Sequence, residues 1–283
     1  MTSLPKISVV IPTRNRAQTL QRTLDTLLQD DYPSLEIIII DGASTDGTVD
    51  LIKSYGHKIS QWVSERDGGE YFAINKGVQR ATGEIVKLMS DDDVLRPGIF
   101  HKVAQYFISH PDVGILFGQS VVWEDTDGVS RRLFETIMTD ESRLTLRNWL
   151  RERQSVLSLA SFIRRDTFER IGPMSTDYVC GDVEYWARAA SQGIKIGVIP
   201  DVVVDYHFTG MNGIITKKWG AASDIVRINM KYGSPVDVIN SIWRKYIKPY
   251  TYHPLAVAVR KICRLLFGVD PAAYLHKRRG MKI

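Results

Sequence analysis

Short apolar runs, mostly β-branched, that each end in a polar cluster constrain this chain more than any other feature of its sequence. Ile7 to Ile11 is one, closed by Pro12 and followed by Thr13-Arg14-Asn15. Glu36 to Ile40 ends at Asp41-Gly42, Ile59 to Val63 at Ser64-Glu65-Arg66-Asp67, and Ile85 to Met89 at Ser90-Asp91-Asp92-Asp93. Between them apolar residues recur at helical spacing. Leu20, Leu24, Leu27 and Leu28 run up to an Asp30-Asp31-Tyr32-Pro33 stop, a short helix spans Thr48 to about Tyr55, and a third spans Tyr71 to Ala81. Strands apolar on both faces that alternate with helices predict a mostly parallel α/β sheet covered on both sides. In such sheets ligands bind beyond the carboxyl ends of the strands, which is where all four polar clusters fall.

After Pro97 the spacing of Ile99, Phe100, Val103, Phe107 and Ile108 predicts a helix, and Val113 to Val122 a strand. The pattern loosens from Trp123 to about Leu157. A strand-helix unit follows from Leu159 to Ile171, then a helix near Asp182 to Gln192 and a strand from Ile194 to His207. With 283 residues, 44% of them hydrophobic, the chain suffices for one large core, or one domain with an appendage.

Three adjacent aspartates after an apolar strand repel one another unless a cation compensates. A divalent metal relieves that, since Mg²⁺ is commonly held by one or two carboxylates plus substrate phosphates. A solvated acidic turn ahead of the next helix accounts for the same triplet. Asp182 opens a helix, where a carboxylate is either a capping group or a general base. His207 closes a strand, as a structural histidine or as a metal ligand. No G-x-S-x-G, H-E-x-x-H or P-loop pattern occurs, and Gly68-Gly69 does not complete a dinucleotide fingerprint.

Taken in order, S-V-V-I-P-T-R-N (Ser8–Asn15), I-I-I-I-D-G-A-S-T-D-G-T (Ile37–Thr48), S-E-R-D-G-G-E-Y-F-A-I-N-K-G (Ser64–Gly77) and A-T-G-E-I-V-K-L-M-S-D-D-D (Ala81–Asp93) resemble glycosyltransferase family 2, inverting enzymes of GT-A fold. The resemblance spans about residues 5 to 215. It implies a Rossmann-like GT-A catalytic domain over 1–215, with a nucleotide-binding half to about 120 and an acceptor half beyond, followed by a helical, basic extension over 216–283. It implies sugar transfer from a nucleotide-sugar, with UDP as the expected nucleotide, to the hydroxyl of a glycan or lipid-linked acceptor, as in enzymes of bacterial surface polysaccharide assembly. By position it assigns Thr13, Asp41, Asp67 and Asp91 to the donor and Asp92 to a divalent cation, Mn²⁺ or Mg²⁺, with Asp93 and His207 as further candidate ligands. Asp182, in G-D-V-E-Y-W-A-R, becomes the base. The chain departs from the family at Ser90 and Gly181, where relatives commonly carry acids, and at Ile74, where many carry Arg. Lys76 or Arg66 is then nominated to meet the phosphates.

Seven of the 37 Lys and Arg, but one of the 32 Asp and Glu, fall from Arg260 to Ile283, so the rest of the chain is close to neutral. Val259, Ile262, Leu265 and Leu266 beside Arg260, Lys261 and Arg264 form a basic amphipathic pattern. It reads either as a peripheral membrane anchor or as a helix packed on the body. Nucleic acid is not an expected partner, because the body lacks basic stripes interleaved with stacking aromatics. A non-catalytic sugar-nucleotide-binding protein is one rival reading, and a nucleic-acid-binding protein acting through the basic tail is the other. Cys180 and Cys263 suggest neither a disulfide framework nor a zinc site. The amino terminus lacks a secretory pattern and no apolar run approaches the roughly 18 residues of a membrane span, so the expected location is cytoplasmic, including the inner face of the membrane.

Overall fold

The computed structural model describes residues 4–126, 129–136, 158–208 and 218–242. Its first strands are β1 (Ile7–Thr13), β2 (Leu35–Asp41), β3 (Gln61–Ser64) and β4 (Ile85–Leu88). They pair in parallel, with β1 in step with β2 from Ile7 against Leu35 to Thr13 against Asp41, β4 on the other side of β1, and β3 beside β2. Helices α1 (Ala17–Leu28), α2 (Thr48–Ser54) and α3 (Glu70–Arg80) connect them. The period of two sorts the strand side chains between the faces. Ile7, Val9, Ile11, Ile37 and Ile39 join Leu20, Leu24 and Leu27 of α1, while Val10, Ile38 and Ile40 join Ala73 and Ile74 of α3. The three α1 leucines are fully buried, each contributing about 1.5–3 kcal/mol.

The third apolar run behaves differently from the others. Ile59 is buried in the core after a short 3₁₀ turn at Gly56–Lys58, and β3 starts only at Gln61. As the edge strand it alternates half-buried and exposed residues, Trp62 among the latter.

The chain continues through β5 (Val94–Leu95), α4 (Ile99–Ser109), β6 (Ile115–Thr126), β7 (Val129–Glu135), β8 (Ser161–Arg164), α5 (Arg165–Ile171), α6 (Gly181–Ser191) and β9 (Ile196–Phe208). The sheet order is β3-β2-β1-β4-β8-β6-β9-β5, with β7 on β6. Parallel pairing stops at β4, because β8 enters antiparallel between β4 and β6. β6 and β9 are again parallel, while β5 and β7 pair antiparallel with β9 and β6. Where the hydrophobic pattern loosens after Trp123, β6 continues and returns as β7. The exposed Val129 and Leu133 of that hairpin carry no buried alternation to read.

Two helices follow, α7 (Lys218–Tyr232), which packs on α6, and α8 (Pro235–Ile242). No helix among the described residues is long and apolar enough to cross a membrane. Cys263 and the basic run from Arg260 lie outside the described residues.

At the amino ends of the strands the polar groups serve the fold. The buried Glu36 accepts from Ser8 Oγ (2.5 Å), Thr82 N (2.9 Å) and Lys6 Nζ (3.2 Å). Burial works against this carboxylate, but hydrogen bonds from Ser8, Thr82 and Lys6 outweigh it and hold its pKa below the ordinary value.

Candidate active site

At the opposite rim, where the strands end, lies a cavity of about 520 Å³, within the roughly 300–1,000 Å³ of small-molecule sites. Thr13, Asp91 and Asp92 line it from the ends of β1 and β4, Arg14 and Arg16 from the β1–α1 loop, and Asp67, Gly69 and Tyr71 from the β3–α3 connection. Asp182 and Trp186 of α6 and Tyr206 of β9 complete the wall. Gly69 precedes α3 at φ +122°, a conformation that a side chain would strain.

The three aspartates of the triplet have three environments. Asp91 accepts from Thr13 Oγ1 at 2.7 Å. Burial, with the neighbouring charge of Asp92, pushes its pKa up to about 6 against the pull of Thr13 and Arg16. Asp92 is also raised by burial, offset by the charges of Arg16, Arg22 and His207. Asp93 is fully buried and lies off the cavity wall. Burial and then the charge of Asp92 push it well up, opposed by the fully buried Lys87. Lys87 itself is lowered to about 7, by burial against the charge of Asp93. From below, α1 fixes the turn: Arg22 Nη2 donates to the Asp92 carbonyl and Thr23 Oγ1 to the Asp93 carbonyl, both at 2.8 Å.

Two other nominated residues stand off the wall. Asp41 is fully buried, its carboxylate accepting from Ser44 N (2.9 Å), Ser64 Oγ (2.6 Å) and Ser44 Oγ, and it knits the loop after β2 to the end of β3. His207 is buried, with Nδ1 on Asp125 Oδ2 at 2.9 Å and its ring stacked on Trp123. Lys76 pairs with Glu65, and neither Lys76 nor Arg66 lines the cavity. Among the described residues the cations on the wall are Arg14 and Arg16, flanking Asn15 directly after Thr13, a position legible in the sequence.

Asp182 lies on the first turn of α6, and Tyr71 Oη, 3.3 Å from its Oδ1, is also 3.3 Å from the Val179 carbonyl. Burial first, then the charge of Asp182, raises the Tyr71 phenol far above its ordinary value, so it stays a donor. Gly181 owes its identity to this ring. An added Cβ would stand 2.8 Å from both the Ser175 carbonyl and Tyr71 Cε2, which accounts for the missing acid before Asp182.

Among the described residues no three His, Cys, Asp or Glu side chains converge as a metal cage. Asp91 and Asp92 on the wall, both desolvated, match instead a hard cation that takes one or two protein carboxylates and draws its remaining oxygens from a bound diphosphate.

Solved structures share this architecture. One is S. aureus TarS (residues 1–349) in complex with UDP-GlcNAc, with a TM-score of 0.67 at 17% identity over 88% of this chain and 76% of that one. Another is the mannosyltransferase PcManGT from Pyrobaculum calidifontis in complex with GDP-Man and Mn²⁺, at 0.63 and 20% identity over 98% and 80%. At such identities the likeness establishes the fold, GT-A. In sequence, a "PGL/p-HBAD biosynthesis glycosyltransferase" of Mycobacterium bovis is 26% identical over 76% of this chain and 82% of its own length. The glycosyltransferase AglE of Haloferax volcanii is 24% identical over 72% and 67%. The profile of the family described as Glycosyl transferase family 2 matches residues 8–172, more than half of the sequence. The chain belongs to that family and is a glycosyltransferase.

Proposed function

We propose that this glycosyltransferase moves a sugar with inversion from a nucleotide-sugar, with UDP as the first nucleotide to test, to a hydroxyl of a glycan or lipid-linked acceptor. One observation carries the reading: Asp182 shares a single cavity with Asp91, Asp92, Arg14 and Arg16. The nucleotide-sugar complexes of TarS and PcManGT, and the Mn²⁺ of the latter, support it.

Arg14 and Arg16 meet the diphosphate as charge-assisted donors. Asp67 and Asp91, the latter steadied by Thr13, face the nucleoside. Asp92 is the carboxylate that holds Mn²⁺ or Mg²⁺, which when bound supplies Lewis-acid stabilisation of the departing diphosphate. Asp182 accepts the proton of the acceptor hydroxyl as that oxygen attacks the anomeric carbon from the face opposite the leaving group. Tyr71 keeps the Asp182 carboxylate oriented toward the cavity. A single displacement of this kind inverts the anomeric configuration. Asp41 acts from behind the site by fixing its loop.

A panel of nucleotide-sugars with Mn²⁺ or Mg²⁺, scored by nucleotide release, tests the reading. Transfer that chelator abolishes, a product of inverted anomeric configuration, and loss of transfer in Asp182→Asn and Asp92→Ala are expected. Parental turnover in Asp92→Ala overturns the cation assignment, and in Asp182→Asn it leaves a sugar-nucleotide-binding role for that cavity wall. Contact of the basic run from Arg260 with anionic lipid follows from a lipid-linked acceptor. Cosedimentation with phosphatidylglycerol vesicles, with and without residues 243–283, tests it.

A further inference from the structure

The helix bearing Asp182 is gripped from behind by a part of the chain outside the family match. Cys180, which precedes α6, offers no capping side chain. The segment entering the helix is held instead by Asp224 of α7, a carboxylate 4% exposed, whose Oδ2 accepts from the backbone N–H groups of Val179 and Cys180. Arg227 Nη1 stands 3.3 Å from Asp224 Oδ1 and donates to the Asp177 carbonyl at 3.1 Å, with its guanidinium 4.4 Å over the Tyr178 ring. One turn further on, Tyr232 Oη (2.5 Å) and Lys231 Nζ (3.3 Å) reach the buried Glu184, two residues beyond Asp182. On its other side the same entry segment faces the cavity: Val179 lines it, and the Val179 carbonyl is the second acceptor near Tyr71 Oη.

We propose that Asp224 is a positioning residue for transfer. By holding the backbone at Val179 and Cys180 it sets where Asp182 stands, so that α7 belongs to the catalytic unit and not to a detachable extension. The inference rests on Asp182 being the base. A buried carboxylate accepting two backbone N–H groups fixes that backbone firmly, and a displacement of about 1 Å at a reacting group costs up to roughly a hundredfold in rate. Among the described residues the hydrogen-bond partners of Asp224 are Val179, Cys180 and Arg227, none of them assigned to the donor, so donor binding should be spared.

The test compares Asp224→Ala, Asp224→Asn and Arg227→Ala with the parent in the full chain. Asp224→Ala should lower kcat for transfer about tenfold or more while the donor Kd by calorimetry stays within about twofold, and Asp224→Asn, which keeps an acceptor oxygen, should recover part of the rate. Should Asp224→Ala fail to fold, Arg227→Ala keeps the question open, with a kcat about threefold lower at unchanged donor Kd expected there. Parental kcat in folded Asp224→Ala, or in Arg227→Ala if that variant alone folds, overturns the proposal. So does a parallel loss of donor affinity and rate, which marks general loosening. If Asp182→Asn also turns over at the parental rate, the base assignment has failed. If Asp182→Asn is inactive while Asp224→Ala is not, only the role of Asp224 falls.

Discussion

Gly181→Ala adds one methyl group where the structure leaves no room for it. The new Cβ would sit 2.8 Å from the Ser175 carbonyl oxygen and 2.8 and 2.9 Å from Cε2 and Cδ2 of Tyr71. Carbon contacts settle near 3.5–4.0 Å, so about 0.7 Å has to be found. The half-buried Tyr71 ring is held at its far end by the Val179 carbonyl and Asp182, which leaves it little freedom to retreat. Gly181 does not have a positive φ, so alanine is sterically allowed by its own backbone and gains at most about 1 kcal/mol in helix propensity. Overpacking costs about 1–3 kcal/mol, so crowding outweighs propensity and a net loss of about 1–2 kcal/mol follows. For a domain of this size that lowers Tm by about 2–8 °C. Displacing the phenol from Asp182 should also cut kcat about three- to tenfold. Differential scanning calorimetry and nucleotide release measure the two effects, in the parent and in a Tyr71→Ala background. With the ring gone two of the three short contacts vanish, so the alanine penalty should shrink by about 1 kcal/mol. A penalty equal in both backgrounds, or no penalty in either, refutes the steric account.

Tyr71→Phe keeps the ring and removes the hydroxyl. Because that hydroxyl hydrogen-bonds the Asp182 carboxylate, its loss should lower kcat about three- to tenfold with donor KM unchanged; parental kcat counts against the contact. Arg16→Ala should weaken nucleotide-sugar binding about tenfold and flatten its salt dependence, read by calorimetry at two ionic strengths. Unchanged affinity would move the diphosphate away from that wall. Glu36 is held below its ordinary pKa in the fold, so its contribution is present above the unfolded-state value and is lost as pH falls through the folded-state value. Glu36→Gln should therefore cost about 1–3 kcal/mol at neutral pH and little near pH 3 in urea unfolding; an equal cost at both contradicts the assignment.

The amino-terminal half of the molecule was legible because its order is local. β1, β2 and β4 lie where Ile7, Glu36 and Ile85 begin apolar runs, and their parallel pairing follows from the helices between them. The part from β6 onward was less so. Nothing in Ser161–Arg164 records that β8 runs antiparallel between β4 and β6, since a four-residue buried run carries no direction. Side-chain roles divide in the same way. Asp182 and the acidic triplet stand out in the sequence as candidates by their places in motifs. Tyr71 was not, because its partner lies 111 residues away and only the fold brings the phenol to the carboxylate. Gly181 looked like a departure from the family until the Tyr71 ring was seen to occupy the space of its side chain.

Asp91, Asp92 and Asp93 show most clearly what a one-dimensional pattern withholds. In sequence they are one acidic cluster, and mutual repulsion argues for a cation somewhere among them. In the fold burial dominates all three, yet the turn sends them apart: Asp91 to Thr13, Asp92 to the cavity amid the charges of Arg16, Arg22 and His207, and Asp93 inward toward the field of Lys87. Asp93 lies off the cavity wall in the field of the buried Lys87, whereas Asp91 and Asp92 face the cavity. A rim that offers the carboxylate of Asp92 is incomplete for a hard divalent ion until phosphate oxygens arrive. On the proposed reading, cation and donor therefore bind each other tightly in the presence of this rim and only weakly in its absence, and nucleotide affinity in Asp92→Ala should become indifferent to Mn²⁺.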